Sequence, residues 1–217
     1  MIIKAVVLDM DGLMVDTEPF WRQAEIEKFA EVGLHLTEEM CLQTTGIRID
    51  QVCEFWYRRN PWAGKSIKEV SDSIVERTIE LFLEKGQSLP GVSETISEVK
   101  KRGLPLALAS SSPMFMIEAI MNKLGILNEF DVVRSAAVEE YGKPHPAVYI
   151  NTLKDLGATP EFTITFEDTM AGVISAKAAQ MKVAAVPQFE HQSDPRYVLA
   201  DYKLKSLLEF DWDAIES

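Results

Sequence analysis

Apolar and polar positions divide the chain into a first strand, a block of helices and a longer stretch where strands and helices alternate. Residues 2–8 form an apolar run that only Lys4 interrupts, which is typical of a buried strand. From Thr17, a candidate N-cap, the hydrophobic period becomes helical, and we predict helices over residues 17–32, 38–43, 49–59 and 66–85. Ser66 and Glu69 have the spacing of a capping box at the start of the last helix.

Beyond Pro90 short apolar strands alternate with helices of ordinary length. The predicted strands are 104–109, 130–133, 163–166 and 183–186. The predicted helices are 93–102, 113–124, 146–156 and 171–179. Such alternation favours right-handed βαβ units around a parallel sheet. We therefore predict an α/β fold with a Rossmann-like parallel sheet core, residues 1–16 and 89–217, and an all-α cap domain, residues 17–88, inserted after the first strand.

The composition limits the classes of partner. The chain has 217 residues, of which 47% are hydrophobic and 26% are charged, as in ordinary globular proteins. A formal net charge of −12 repels nucleic acid and anionic lipid, and we expect neither as a partner. The same charge repels an anionic small substrate, so its site needs local positive charge from Lys, Arg or a metal cation. We expect a monomer that acts on a small molecule.

The two cysteines indicate a reducing compartment. Cys41 and Cys53 have no further Cys and no nearby His with which to complete a metal site, so we interpret them as reduced thiols. No apolar run reaches membrane-spanning length, and no signal peptide precedes the first strand. We therefore expect a cytoplasmic location.

Chemically capable side chains follow the predicted strands, at the edge where an open parallel sheet binds its ligands. They are Asp9, Asp11, Ser110, Lys143, Glu167 and Asp168. Asp9 and Asp11 point to the same side, about 6–7 Å apart. Carboxylates this close repel each other unless a cation lies between them or one is protonated. With Asp168 they would form an oxygen-rich site suited to Mg²⁺.

Four segments carry a family resemblance. They are Asp9-Met10-Asp11-Gly12-Leu13-Met14-Val15-Asp16, Ala109-Ser110-Ser111-Ser112, Gly142-Lys143-Pro144-His145-Pro146 and Phe166-Glu167-Asp168-Thr169. Together they resemble the four ordered motifs of the haloacid dehalogenase superfamily. The resemblance covers the whole chain and includes an α-helical cap where one subclass carries it. Residues 16–21, 45–50 and 194–201 further resemble a subfamily of sugar and hexitol phosphatases.

The resemblance implies a magnesium-dependent phosphatase. Asp9 would attack phosphorus in line and form an aspartyl-phosphate. Asp11 would protonate the leaving alkoxide and then deprotonate the attacking water. Mg²⁺ would be held by Asp9, by the backbone carbonyl of Asp11 and by Asp168, with Glu167 acting indirectly or through water.

The resemblance also implies a set of substrate-binding residues. Ser110 and the amide of Ser111 would bind phosphate oxygens at the start of the next helix, and Lys143 would supply positive charge to the phosphate and to Asp9. The full set is Asp9, Met10, Asp11, Ser110, Ser111, Lys143, Arg48 and Trp21. Arg48 can equally form a salt bridge with Asp50 or close over the substrate. His145 is expected to cap or to be solvated rather than to catalyse.

Three alternatives to a phosphatase differ in what they require. A haloalkanoate dehalogenase has no counterpart of Asp11 and needs no metal, and a phospho-acceptor receiver domain has no cap. A sugar-phosphate mutase resembling β-phosphoglucomutase would share core and cap, but it has a histidine where this chain has Trp21. We therefore expect hydrolysis of a small sugar or polyol phosphate, and the pattern leaves open which one.

Overall fold

In the part of the chain that the structure describes, the core is one parallel sheet of six strands in the order β3-β2-β1-β4-β5-β6. The computed structural model describes residues 2–215. The strands are β1 (Ala5–Leu8), β2 (Leu106–Ser110), β3 (Val132–Ser135), β4 (Thr163–Glu167), β5 (Lys182–Ala185) and β6 (Tyr202–Lys203). The first five strands confirm the prediction to within a few residues at their ends. Strand β6 was not predicted, because a strand of two residues has no measurable period.

Within residues 2–215, eight α-helices accompany the sheet. They are α1 (Glu18–Ala30), α2 (Glu38–Cys41), α3 (Ile49–Arg59), α4 (Ile67–Lys85), α5 (Val92–Lys101), α6 (Met114–Leu124), α7 (Ala147–Leu156) and α8 (Met170–Ala178). Each lies where a helix was predicted, which confirms the α/β fold class. Among residues 2–215, no helix combines the length and the apolar character that crossing a membrane requires.

Helices cover both faces of the sheet. Val6 and Leu8 of β1 belong to the apolar cluster that includes α5 and α6, whereas Val7 belongs to the cluster that includes α7 and α8. Strand β1 pairs with β2 on one side and with β4 on the other, so that Leu8 lies beside Leu108 and Phe166. The strand order reverses direction at β1, and the loops that follow β1, β2 and β4 therefore surround one crevice.

Residues 17–88, here called the helical block, pack around α4. Helices α1 and α3 both contact α4, and Phe20 meets Phe82 edge to face at 5.9 Å between ring centroids. The two connections to the sheet pair with each other, since Val15 bridges Ser88 and the Leu89 amide donates to the Met14 carbonyl at 2.8 Å. The chain thus enters and leaves the helical block at adjacent points. The exact domain boundaries stay a prediction, and positions 1, 216 and 217 lie outside the described residues.

The predicted side-chain cap is present at the start of α4 but absent at the start of α1. The capping box is confirmed, because the Ser66 hydroxyl accepts from the Glu69 amide at 3.2 Å while Glu69 Oε2 accepts from the Ser66 amide at 2.7 Å. Thr17 does occupy the N-cap position of α1, but its side chain makes no capping bond. Its hydroxyl instead donates to Asp11 Oδ1. The Thr17 hydroxyl thus acts as a donor to a carboxylate, and its oxygen accepts no bond from the amides of α1.

We expect Ser66→Ala to lower the free energy of unfolding by about 1 kcal/mol, because the Glu69 amide loses its acceptor. Urea denaturation followed by circular dichroism measures this. Ser66→Thr keeps the hydroxyl and should stay close to the unsubstituted protein. Equal midpoints for Ser66→Ala and Ser66→Thr would show that the capping bond contributes nothing to the unfolding equilibrium.

Candidate active site

The carboxyl ends of β1, β2 and β4 bring the sequence-predicted polar groups into one buried site. Asp9 directly follows β1, Ser110 ends β2, Glu167 ends β4, and Asp168 comes next. Lys143 arrives from the loop before α7, and its peptide bond to Pro144 is cis. These side chains are almost entirely buried, although four of them can be charged. Burial of this kind demands partners for each charge.

Lys143 is the centre of the hydrogen bonding. Its ammonium donates to Asp9 Oδ1 at 2.6 Å, to Glu167 Oε1 at 2.7 Å and to the Ala109 carbonyl at 3.2 Å. An ammonium has three donors, so each one has an acceptor. Burial alone would lower the pKa of Lys143, but Asp9 and Glu167 outweigh it and raise that pKa well above its usual range. The contact with Asp9 is the one that the resemblance implied; the contact with Glu167 was not anticipated.

Three carboxylates cluster beside this ammonium. Oxygen atoms of Asp9, Glu167 and Asp168 all lie within 4.8 Å of one another. Burial raises the pKa of Asp9 to about 8; Lys143 acts in the opposite direction, and Glu167 and Asp11 add to the rise. Burial, followed by the charges of Asp9 and Glu167, also raises the pKa of Asp168 well above its usual range. One ammonium therefore does not compensate the negative charge of the cluster.

The cluster fits a divalent cation with a preference for oxygen. Asp168 Oδ1 is buried and has no hydrogen-bond partner among residues 2–215, so a ligand bond would satisfy it. Carboxylate oxygens are the ligands that Mg²⁺ prefers. Asp9 and Asp168 were both expected to be metal ligands. Glu167 lies nearer than an indirect role requires, but one of its oxygens is already bonded to Lys143.

Two glycines let the carboxylates approach the backbone. A Cβ atom at Gly12 would lie 1.9 Å from Asp168 Oδ2, and φ at Gly12 is +76°. A Cβ atom at Gly172 would lie 1.9 Å from Glu167 Oε2. No carboxylate could keep its position against such contacts. These glycines therefore help to define where the acidic cluster lies.

Two buried tyrosines, which were not predicted as site residues, donate hydrogen bonds to the acidic cluster. The Tyr149 hydroxyl donates to Glu167 Oε1, and the Tyr197 hydroxyl donates to the Asp168 carbonyl at 2.6 Å. Burial and then Glu167 raise the pKa of Tyr149 well above its usual range, which keeps its hydroxyl protonated as a donor. Both residues lie in segments that the sequence analysis described, but an isolated Tyr in a helix is equally typical of ordinary core packing.

Asp11 is held separately from the acidic cluster by four donors. Its Oδ1 accepts from the Thr17 hydroxyl at 2.6 Å and from the Trp21 indole at 3.3 Å. Its Oδ2 accepts from the Ser112 hydroxyl at 2.8 Å and from the Ser110 hydroxyl at 3.0 Å. The expected bond from Ser110 to phosphate would therefore require its hydroxyl to change acceptor. Trp21, expected among the substrate-binding residues, orients the carboxylate of Asp11.

A cavity lies between Asp11 and the helical block. Trp21, Glu25 and Arg48 line it from the helical block, and Ser111 lines it from the sheet. Its volume is about 60 Å³. That is small beside the roughly 300–1,000 Å³ of typical ligand pockets.

Arg48 connects the helical block with the sheet. It forms a salt bridge with Asp50 at 2.6 Å, one of the two arrangements that the sequence left open. It also donates to the carbonyls of Ala136 at 3.1 Å and Glu139 at 2.8 Å, in the loop that follows β3. Most of its donors are thus bonded within the chain. Arg48 therefore holds the helical block against the loop after β3, and it also lines the cavity.

The remaining predicted residues have simple surroundings. Met10 is fully buried, and its carbonyl accepts from the amides of Met14 and Val15 at 2.9 and 3.2 Å. Ser111 borders the cavity. His145 is exposed, and its Nδ1 accepts from the Ala147 amide at 3.3 Å, which agrees with a capping histidine. The contacts of Met10 and Ser111 with a substrate stay predictions.

Known proteins of similar sequence belong to the family that the four motifs indicate. The sequence model of the family described as haloacid dehalogenase-like hydrolase matches residues 6–186. Hexitol phosphatase B from Escherichia coli K12 is 42% identical over 208 residues, which are 95% of this chain and 94% of that protein. This confirms the expected resemblance to a sugar or hexitol phosphatase.

Solved structures extend the agreement to the fold. A crystal structure of a CbbY variant from Rhodobacter sphaeroides in complex with xylulose-(1,5)bisphosphate has a TM-score of 0.87 at 27% identity, covering 96% of each chain. A crystal structure of β-phosphoglucomutase from Clostridium difficile has a TM-score of 0.83 at 22% identity, covering 98% of this chain and 95% of that chain. The second likeness concerns the fold alone.

We expect Gly12→Ala to reduce catalytic activity by at least about 100-fold, because a displaced Asp168 would lose its place in the cluster. Gly33→Ala is the matched control. Gly33 has φ +82°, a similar backbone strain, but a Cβ atom there would meet nothing within 4 Å. Steady-state rates on one phosphate ester measure the difference. Equal losses in the two variants would mean that backbone strain, and not the contact with Asp168, explains the need for glycine.

Proposed function

We propose that this chain, which belongs to the haloacid dehalogenase-like hydrolase family, hydrolyses small sugar or hexitol phosphates through an aspartyl-phosphate on Asp9. It is a phosphatase, that is, a phosphoric monoester hydrolase, and its substrate is a small phosphorylated molecule. The observation that carries the proposal is the place of Asp9, bonded to the Lys143 ammonium and adjoining Glu167 and Asp168 in one buried site.

In the first half of the reaction, an oxygen of Asp9 forms a bond to phosphorus as the bond from phosphorus to the leaving oxygen breaks. Lys143 orients this carboxylate and contributes positive charge to the phosphate. Asp11, when protonated, gives its proton to the leaving oxygen. In the second half Asp11 removes a proton from water, whose oxygen attacks phosphorus and releases Asp9 and inorganic phosphate.

Mg²⁺ is the proposed cofactor. Asp9 and Asp168 would hold it, together with the backbone carbonyl of Asp11, and Glu167 would complete the surroundings. When bound, Mg²⁺ would neutralise the charge that the carboxylates and the phosphate accumulate. The unpartnered Oδ1 of Asp168 supports this assignment.

We propose that residues 17–88 are a cap domain that opens to admit the substrate and closes to exclude water. The paired connections at Val15 and Ser88 support a hinge there, and Arg48 supports a closed state. A monomer in the cytoplasm completes the proposal; the free, buried thiols of Cys41 and Cys53 are consistent with a reducing compartment.

A sugar-phosphate mutase is the second candidate, because it would form the same aspartyl-phosphate. A mutase must hold its bisphosphate intermediate while keeping water away. The bond from the Trp21 indole to Asp11 favours hydrolysis, since it orients the group that activates water and leaves no imidazole at this position.

We expect Mg²⁺-dependent release of inorganic phosphate from hexose 6-phosphates and hexitol phosphates, with no conversion of β-glucose 1-phosphate into glucose 6-phosphate. The reason is that Trp21, and not the histidine of the mutase, lies beside Asp11, which can then activate water once the alcohol has left. A phosphate-release assay and a coupled glucose 6-phosphate assay, each with Mg²⁺, with chelator and with restored Mg²⁺, measure both outcomes. Isomerisation faster than phosphate release would replace the phosphatase by the mutase, and full activity in chelator would contradict the metal site.

Asp9→Asn and Asp11→Asn should distinguish the nucleophile, Asp9, from the general acid and base, Asp11. An amide is a poor nucleophile, so Asp9→Asn should form no phosphoenzyme. Asp11→Asn should lower kcat by about 10²–10⁴-fold, the range of general acid–base catalysis, while the Mg²⁺ dependence changes little because its side chain lies outside the cluster. Rapid-quench detection of phosphoenzyme together with a Mg²⁺ titration checks this. A large metal-binding defect with unchanged chemistry in Asp11→Asn would reverse the assignment.

A further inference from the structure

Glu25 is a buried carboxyl group on the cavity-facing side of α1. Its residue is 8% exposed, and its Oε2 has no hydrogen-bond partner among residues 2–215. The carboxyl group accepts a bond from the Cys41 thiol, which is a weak donor. Glu25 lines the same cavity as Asp11. A buried carboxyl oxygen without a partner is costly, and the cavity is the place from which a partner can come.

We propose that Glu25 is a specificity-determining residue, which hydrogen-bonds a hydroxyl group of an uncharged polyol or sugar leaving group in this cavity. The inference rests on the proposed function, since the cavity holds the leaving group only if Asp11 protonates it. Glu25 would not touch the reacting phosphoryl group, because Asp9 and Lys143 lie in the separate buried cluster.

The charges around the cavity favour an uncharged leaving group. Glu18 also lines it, and burial followed by the nearby charge of Asp11 raises the pKa of Glu18 to about 7, which Arg22 opposes. The guanidinium of Arg48 is already bonded to Asp50 and to two carbonyl groups. Arg22 lines the cavity as well, and its charge acts on Glu18. A second phosphate on the leaving group would therefore meet the guanidinium of Arg22 but also three carboxyl groups, those of Asp11, Glu18 and Glu25.

The protonation of Glu25 suits a hydroxyl partner. Burial raises the pKa of Glu25 to about 7; the bond from Cys41 opposes this, and Glu18 adds to it. Near neutral pH the carboxyl group is thus present in both forms. A hydroxyl group can donate to the ionised form and accept from the protonated form, so it pairs with either.

The test compares substrates that differ in leaving-group hydroxyls. Glu25→Met removes both oxygens and keeps the length of the side chain, whereas Glu25→Gln keeps hydrogen-bonding capacity. For sorbitol 6-phosphate we expect kcat/KM to fall roughly 10- to 100-fold in Glu25→Met, with a smaller loss in Glu25→Gln, as one hydrogen bond to a charged group would require. For p-nitrophenyl phosphate, whose leaving group has no hydroxyl to offer the cap, both variants should match the unsubstituted enzyme.

Glu27→Met is the control, since Glu27 lies on the same helix and bonds to Arg77 at 2.7 Å on the outer surface. It should leave the ratio of the two substrates unchanged. Equal losses on both substrates in Glu25→Met would indicate a structural role and overturn the proposal, as would no loss on either. Glucose 1,6-bisphosphate should be a poorer substrate than glucose 6-phosphate, and the reverse order would contradict an uncharged leaving group.

The same experiment separates the inference from the function on which it rests. If the unsubstituted enzyme hydrolyses p-nitrophenyl phosphate but no sugar or hexitol phosphate, the proposed function fails. If it hydrolyses sorbitol 6-phosphate and the Glu25 variants keep the same substrate ratio, the function stands and the role of Glu25 is rejected.

Discussion

The ammonium of Lys143 between the carboxylates of Asp9 and Glu167 is the interaction on which the rest of the site depends. All three groups are almost completely buried, and removing one member of such a set commonly costs about 3–5 kcal/mol, because it leaves an uncompensated charge. The sheet order makes the set possible, since β1 and β4 are neighbours and end at the same edge. Tyr149 and Gly172 then limit the positions that Glu167 can adopt.

Asp11 connects this buried centre with the helical block. Two of its donors, Thr17 and Trp21, come from the helical block, and two, Ser110 and Ser112, come from the loop after β2. The orientation of the proposed acid–base group therefore depends on how the helical block lies against the sheet. In the proposed opening of the cap, the bonds from Thr17 and Trp21 would be the ones at risk, which would couple cap closure to the positioning of Asp11.

The sequence predicted the parts of this molecule that rest on local patterns. Buried strands and their following helices have strong periods, and motif residues at strand ends converge because parallel strands end at one edge. Tyr149 and Tyr197 could not be recognised, because their function depends on contacts between distant segments. The acceptor of the Thr17 hydroxyl was missed for a related reason: a cap position predicts where a side chain lies, but not that a nearby carboxylate competes for it.

The catalytic motifs do not reveal the identity of the leaving group, because their proposed roles concern only the phosphoryl group and the oxygen that leaves it. Phosphatase and mutase share Asp9, Asp11, Lys143 and Asp168 in their expected roles, so no residue among them distinguishes the two. What distinguishes them is the set of polar atoms in the cap that remain available to a ligand. In this chain Arg48 is bonded to its neighbours, whereas Glu25 Oε2 is not. The specificity for the leaving group therefore depends on Glu25 Oε2, a buried oxygen on α1 whose missing hydrogen bond a ligand would complete.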